Sequence, residues 1–211
     1  MKERMSDFSL SRAREKVLPE SLCACDGRIV TIDADFRTVL KCLRVLDDPD
    51  MADRDKLYLL MRWFFKGALV PDAYTLFESF ISGDGEAEGE PPVMDFEQDA
   101  DALYASFMMD YGIDLLDIPF LHWAKFRALM GGLSEGSAMC QRIAIRKMDT
   151  KGMKGKAKAD AERAKRRVRL KRRMGTEEMA LQMEIDKALA DGQNPVEAID
   201  KLRRLYGDDE A

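Results

Sequence analysis

A chain of 211 residues has room for one medium domain with appendages or two small ones, and 46% hydrophobic against 35% charged residues suits a soluble protein with a heavily charged surface. This excludes collagen-like, mucin-like and disulfide-scaffold classes, and no apolar run nears the ~20 residues of a membrane span, Leu57–Phe65 being interrupted by Arg62. The Met1-Lys-Glu-Arg-Met start has no apolar segment after it, so no secretory leader is visible and the reducing cytoplasm is the expected compartment.

Residues 1–17 are polar and aperiodic and are expected to form a flexible arm. Two β-prone runs flank Asp26-Gly27, a dipeptide suited to a tight turn, which predicts a small hairpin over Leu22–Ile32. Asp33 or Asp35 can cap a helix carrying Phe36, Val39, Leu40, Leu43 and Leu46, stopped at Asp47-Asp48-Pro49. A second helix is expected from Asp53 to Lys66, with Gly67 as its stop signal. A third opens at Pro71, with Tyr74, Phe77 and Ile81 on one face. Residues 83–92 read as a solvated acidic linker. Beyond it, Asp95–Gly112 is amphipathic, with Phe96, Ala100, Leu103, Tyr104 and Phe107 inward. Helices over Pro119–Met130 and from a Ser134 cap through Met139 and Ile143 complete a core over residues 18–150. Residues 151–211 read as a basic helical extension with little to bury, ending in amphipathic segments at Glu177–Ala190 and Pro195–Tyr206. The expected fold is therefore mainly α: a helical bundle-like core, one small N-terminal β-hairpin and a long basic C-terminal helical extension.

The net charge of −5 conceals a strong dipole along the chain. Asp84–Asp117 holds eleven acids and no Lys or Arg, whereas Arg146–Arg173 holds fourteen bases against three acids. The two windows therefore have different partners or are each other's partners.

Enzyme signatures are scarce: the phosphate-loop, dinucleotide, nucleophile-elbow and His-Glu-x-x-His patterns are all missing. A lone His122 on an aromatic helix reads as a packing or hydrogen-bonding residue, because general-base and zinc chemistry need supporting groups. Cys23, Cys25, Cys42 and Cys140 lack zinc-ribbon spacing and read as buried free thiols. The acids from Asp95 to Asp114 lack calcium-loop order, and a solvated helix start accounts for most of them, so no metal or cofactor is expected. The basic stretch 151–173 could bind phosphate backbones, yet no aromatic residue lies between Arg127 and Arg204 and the whole chain is acidic. Docking on an acidic partner through Arg163, Arg166, Arg167, Arg169 and Arg172 is the favoured reading over nucleic acid. Leu57–Phe65, apolar around most of its circumference, is either the central core helix or a surface that meets another chain. Met108 and Met109 with Met130 and Met139 could give an adaptable apolar surface, with core filling as the favoured alternative.

Five blocks in order carry a family resemblance: Ile32-Asp-Ala-Asp-Phe-Arg37; Phe96-Glu-Gln-Asp99 with Tyr104-Ala-Ser-Phe107 and Tyr111-Gly-Ile-Asp-Leu115; Leu121-His-Trp-Ala-Lys-Phe-Arg-Ala-Leu129; Gly132-Leu133-Ser134; and Ile145-Arg-Lys-Met-Asp149. Over roughly Leu18–Arg173 the chain resembles the gene-product-fifteen family of tailed phages. The resemblance implies a cytoplasmic tail assembly chaperone in the bacterial host, which coats the apolar, helical tape measure protein, or another tail protein, until tube subunits polymerise around it. It implies binding without catalysis, and self-association is compatible with it. On this reading Trp63, Phe64, Phe65, Phe77 and Phe80 are the candidate client-binding residues, and Trp123, Phe126 and Arg127 are structural. A nucleic-acid-binding protein and a structural tail component are the alternatives.

Overall fold

Leu22 faces Val30 across a short antiparallel hairpin, in which β1 (Ser21–Cys23) pairs with β2 (Ile29–Thr31) in the register Ser21 to Thr31 and Cys23 to Ile29. The period-2 alternation turns Leu22 and Val30 into the core and leaves their neighbours exposed. Gly27 sits at φ 83°, the left-handed conformation that an Asp-Gly turn supplies. The computed structural model describes residues 18–82 and 93–171, together with 175, 176, 179, 183, 186, 187, 190 and 191. The predicted arm, the linker at 83–92, the Pro195–Tyr206 segment and Arg172 lie outside the described residues, as does most of Glu177–Ala190.

Seven helices follow: α1 (Phe36–Leu46), α2 (Asp53–Trp63), α3 (Ala73–Ile81), α4 (Ala100–Tyr111), α5 (Trp123–Gly131), α6 (Ala138–Lys147) and α7 (Gly155–Val168). The described fold is mainly helical, as the sequence predicts. Its contacts divide it into two units, one running to Leu46 and from Asp53 to Lys171, the other comprising Asp47–Ala52 and the chain from Arg172. In the second unit the Asp50 carboxylate accepts the Thr176 amide and hydroxyl, both at 2.8 Å. The first unit holds the hairpin and all seven helices, so α7 belongs with the core and the unit extends past the boundary expected at residue 150.

Chain entry to α1 follows the predicted chemistry. Asp35 Oδ1 accepts the Arg37 N–H at 3.0 Å, and Asp33 accepts the Asp35 N–H and the Thr38 hydroxyl. Helix α2 stops at Trp63, three residues before its expected end, because Lys66 at φ 52° and Gly67 at φ 85° turn the chain left-handed and the Gly67 N–H closes on Met61 O. This turn buries Phe64 and Phe65 together, with ring centroids 4.9 Å apart.

Helix α4 starts at Ala100 after a separate turn, in which Asp95 Oδ1 accepts the Glu97 and Gln98 amides. Packing against both α5 and α6, it buries two faces: Leu103 and Phe107, and Ala102 and Ser106. Ala100, expected inward, is exposed, and Ser106 is buried because its hydroxyl donates to Ala102 O and accepts the Met139 N–H. The cap of α6 is Ser137 rather than Ser134: its Oγ accepts the Cys140 N–H, whereas Ser134 bonds Asp110. At the end of α5, Gly132 lets the Tyr111 hydroxyl approach and donate to Leu129 O, and a Cβ there would lie 3.0 Å from that hydroxyl.

Candidate interaction surfaces

The blocks that carry the family resemblance are stitched to one another. The Ala34 and Leu121 carbonyls accept the Trp123 and Phe36 amides, and Asp35 Oδ2 accepts the Leu121 N–H at 3.1 Å. Arg37 grips Asp35 with two nitrogens at 2.8 and 2.9 Å and donates a further bond to Pro119 O. Burial opposes the charge on Asp35, but these bonds outweigh it and hold its carboxyl below the usual carboxylate range. Beside it, His122 is buried and caps α5, its Nδ1 accepting the Ala124 N–H at 3.1 Å, and burial pushes its pKa down. This is the structural role the sequence favours for it.

A second lock joins Asp99, 0% exposed, to two arginines one turn apart on α6. Arg146 holds both Asp99 oxygens at 2.6 and 2.7 Å, and Arg142 bonds Asp99 and both oxygens of Asp101. Burial raises the cost of the Asp99 charge, and the Arg146, Asp95 N–H and Arg142 bonds more than offset it, leaving the carboxyl below its ordinary range. Arg146 also donates to Val93 O and Val168 O, so one guanidinium ties the segment before α4 to the end of α7. The acidic and basic windows do meet, through the buried Asp99–Arg146 pair and an exposed Gln98–Lys171 contact. The lock had a sequence signal: arginines four apart on a helix, downstream of an Asp-rich helix start.

Of the five aromatic side chains read as client-binding, Phe64, Phe65 and Phe77 are buried at 0–1% exposure and belong to the core. Phe64 lies 4.9 Å from Phe77 and 5.1 Å from Phe80, which is half-buried and meets His122 at 5.9 Å. Trp63 is half-buried with the Lys41 ammonium 4.5 Å from its ring centroid. The left-handed turn at Lys66-Gly67 brings Phe64 and Phe65 into the core, whereas Trp63 and Phe80 keep part of their surface exposed. The structural reading of Trp123, Phe126 and Arg127 agrees with their placement: Phe126 stacks on Phe36, Phe107 and Trp123, and Arg127 Nη1 caps the end of α3 at Ile81 O, 2.6 Å away.

Exposed apolar side chains lie elsewhere. Met108, Met109, Leu116 and Phe120 are 41–82% exposed, all between residues 108 and 120 around the αL turn at Gly112. Ile29 and Leu69 form another group, linked by an Arg28 Nη2 bond to Leu69 O. Tyr58 and Tyr74 are also exposed. The methionine pair was legible in the sequence, but Met139 is buried in the core. Leu116 sits in the connection between α4 and α5, where periodicity gives no signal, and Phe120 falls in the helix expected from Pro119, whereas α5 starts only at Trp123 and leaves Phe120 in the connection. Among the cysteines, Cys42 is buried and Cys140 half-buried, but Cys23, on the outward face of β1, and Cys25, in the turn after it, are exposed.

Helix α7 buries no residue, and its Arg163, Arg166 and Arg167 are exposed, as is Arg169 just beyond it. No helix among the described residues is long and apolar enough to cross a membrane.

The first unit is mainly helical and is tied together by two Asp–Arg locks, with exposed apolar side chains and a basic helix at its surface. A family model described as bacteriophage Gp15 protein matches residues 17–170. The chain belongs to that phage family. No curated protein and no solved structure matches it.

Proposed function

We propose that this phage protein is a tail assembly chaperone, acting in the host cytoplasm and binding its client without catalysis. The client is an apolar helical tail protein, for which the tape measure protein is the first candidate. The observation that carries this reading is the exposure of four large apolar side chains, Met108, Met109, Leu116 and Phe120, all within residues 108–120. Membership of the phage family supplies its context. Large apolar side chains in water mark a surface that gains by being covered, and thioether side chains adapt to varied helical partners. Each fully buried side chain of this size contributes about 1.5–3 kcal/mol of transfer free energy before ordering costs. Co-expression with the phage's tape measure protein tests the reading: the client becomes soluble and co-elutes with this chain. Equal solubility of the client without the chain, and no complex, contradicts it.

A further inference from the structure

Helix α7 has a composition that packing does not explain: six bases against two acids in fourteen residues, with none of them buried. It is nevertheless held in place. Lys165 Nζ donates to Met148 O, Arg146 to Val168 O, and Gln98 clamps Lys171 by accepting its N–H at 2.7 Å and donating to its carbonyl at 2.8 Å. The half-buried side is Ala161, Glu162, Ala164, Lys165 and Val168, which turns Arg163, Arg166 and Arg167 to solvent, with Arg169 beyond them. Arg163 reaches Asp160 only at 3.8 Å in an exposed pair, a contact of little strength. No described carboxylate pairs with Arg166, Arg167 or Arg169. The acids held beside the α6 arginines, Asp99 and Asp101, are already neutralised by Arg142 and Arg146 and so do not cancel the α7 charge.

We infer that the outward face of α7 is a sequence-independent contact for the phosphate backbone of nucleic acid. An acidic protein partner would share the charge complementarity, but specific protein interfaces are built round an apolar core with aromatic anchors, and this face has neither. A phosphate backbone needs only ordered cations, and guanidinium groups suit it. Lack of an aromatic residue, which argues against base stacking, is no obstacle to backbone contact. Overall acidity is likewise a weak objection at the face itself, because exposed charges more than ~10 Å away are largely screened at moderate salt. The site is separate from the exposed apolar side chains within residues 108–120 and stands independently of the chaperone reading.

Fluorescence anisotropy of the full chain with a labelled duplex DNA of about 30 base pairs tests this at several salt concentrations. With four phosphate contacts from Arg163, Arg166, Arg167 and Arg169, affinity falls on the order of a hundredfold between about 50 and 200 mM salt. A variant carrying Arg163→Gln, Arg166→Gln and Arg167→Gln keeps its thermal transition and flattens the log–log salt slope by about three. Single-stranded RNA of equal length binds more weakly than the duplex, whose charge density is higher. Unchanged binding in the variant, affinity that does not fall with added salt, or displacement of the labelled duplex by poly-L-glutamate as readily as by unlabelled duplex, the mark of an acidic-protein site, overturns the assignment.

Discussion

Arg146 holds Asp99 through two bonds of 2.6 and 2.7 Å, with the carboxylate fully buried and the arginine side chain 11% exposed. The pair joins the most acidic stretch of the chain to the most basic one inside the protein, where screening by salt is weak. Breaking it leaves the Arg146 guanidinium facing an uncharged pocket, while Arg142 keeps the Asp101 carboxylate. Asp99→Asn is therefore expected to destabilise the fold by about 3–5 kcal/mol, read as a lowered urea midpoint. Asp101→Asn, at a side chain that is 74% exposed, should cost less than about 1 kcal/mol. Equal effects at the two positions would show that Arg142 and Arg146 relax and find other partners.

The same lock gives the dipole in the sequence a different meaning. Added salt should leave the hydrodynamic radius of the free chain unchanged through this contact, because its central pair is buried and hydrogen-bonded on both oxygens. Size-exclusion chromatography across the salt range checks this. An increase in radius with salt would mean that exposed charges, and not Asp99 with Arg146, hold the windows together.

The pH dependence of stability should show two acid-side steps. Burial lowers the His122 pKa, so the unfolded chain takes up its proton first and stability declines as pH falls below about 6.5. Asp35 and Asp99, both held below the usual carboxylate range, contribute fully above about pH 4 and lose that contribution as pH falls further. Urea midpoints measured from neutral pH downward should fall in both regions, and His122→Gln should flatten the upper step alone. A His122→Gln profile parallel to that of the parent chain would assign the upper step to another group.

Thiol accessibility separates the cysteines. Cys23 and Cys25 should react with an aromatic disulfide reagent in the native state, whereas Cys42, its pKa pushed up to about 12 chiefly by burial, should react only on unfolding. Rapid native-state labelling of Cys42 would show that α1 opens on the time scale of the assay.

Where helices pack on one side, the sequence was enough to place them. Helix α1 runs from Phe36 to Leu46 as its spacing predicts, with its Asp35 cap, and the Asp26-Gly27 hairpin turn stands where the dipeptide puts it. Helix α4 escaped the one-face reading because it packs against both α5 and α6, which buries Ser106 and exposes Ala100. Three of the client-binding candidates, Phe64, Phe65 and Phe77, pack the core for a related reason. A run such as Trp63-Phe64-Phe65 looks the same in sequence whether it caps a core or covers a surface, and the left-handed turn at Lys66 and Gly67 decides it. The resemblance blocks include Asp35 and Arg37 of the first lock and Asp99 and Arg146 of the second. They identify the family through its architecture, while the exposed candidates lie in a loop and at a helix end.

Substitution of exposed and buried apolar residues in parallel tests the central claim most directly. Leu116→Asp with Phe120→Asp should leave the thermal transition of the chain close to that of the parent, since exposed substitutions move stability by within about 0.5 kcal/mol. Phe64→Ala should cost about 3–5 kcal/mol by opening a core cavity. In co-expression with the tape measure protein, the account predicts that the Leu116/Phe120 variant stays folded but no longer holds the client in the soluble fraction. A folded Leu116/Phe120 variant that retains the tape measure protein as well as the parent chain does would contradict it.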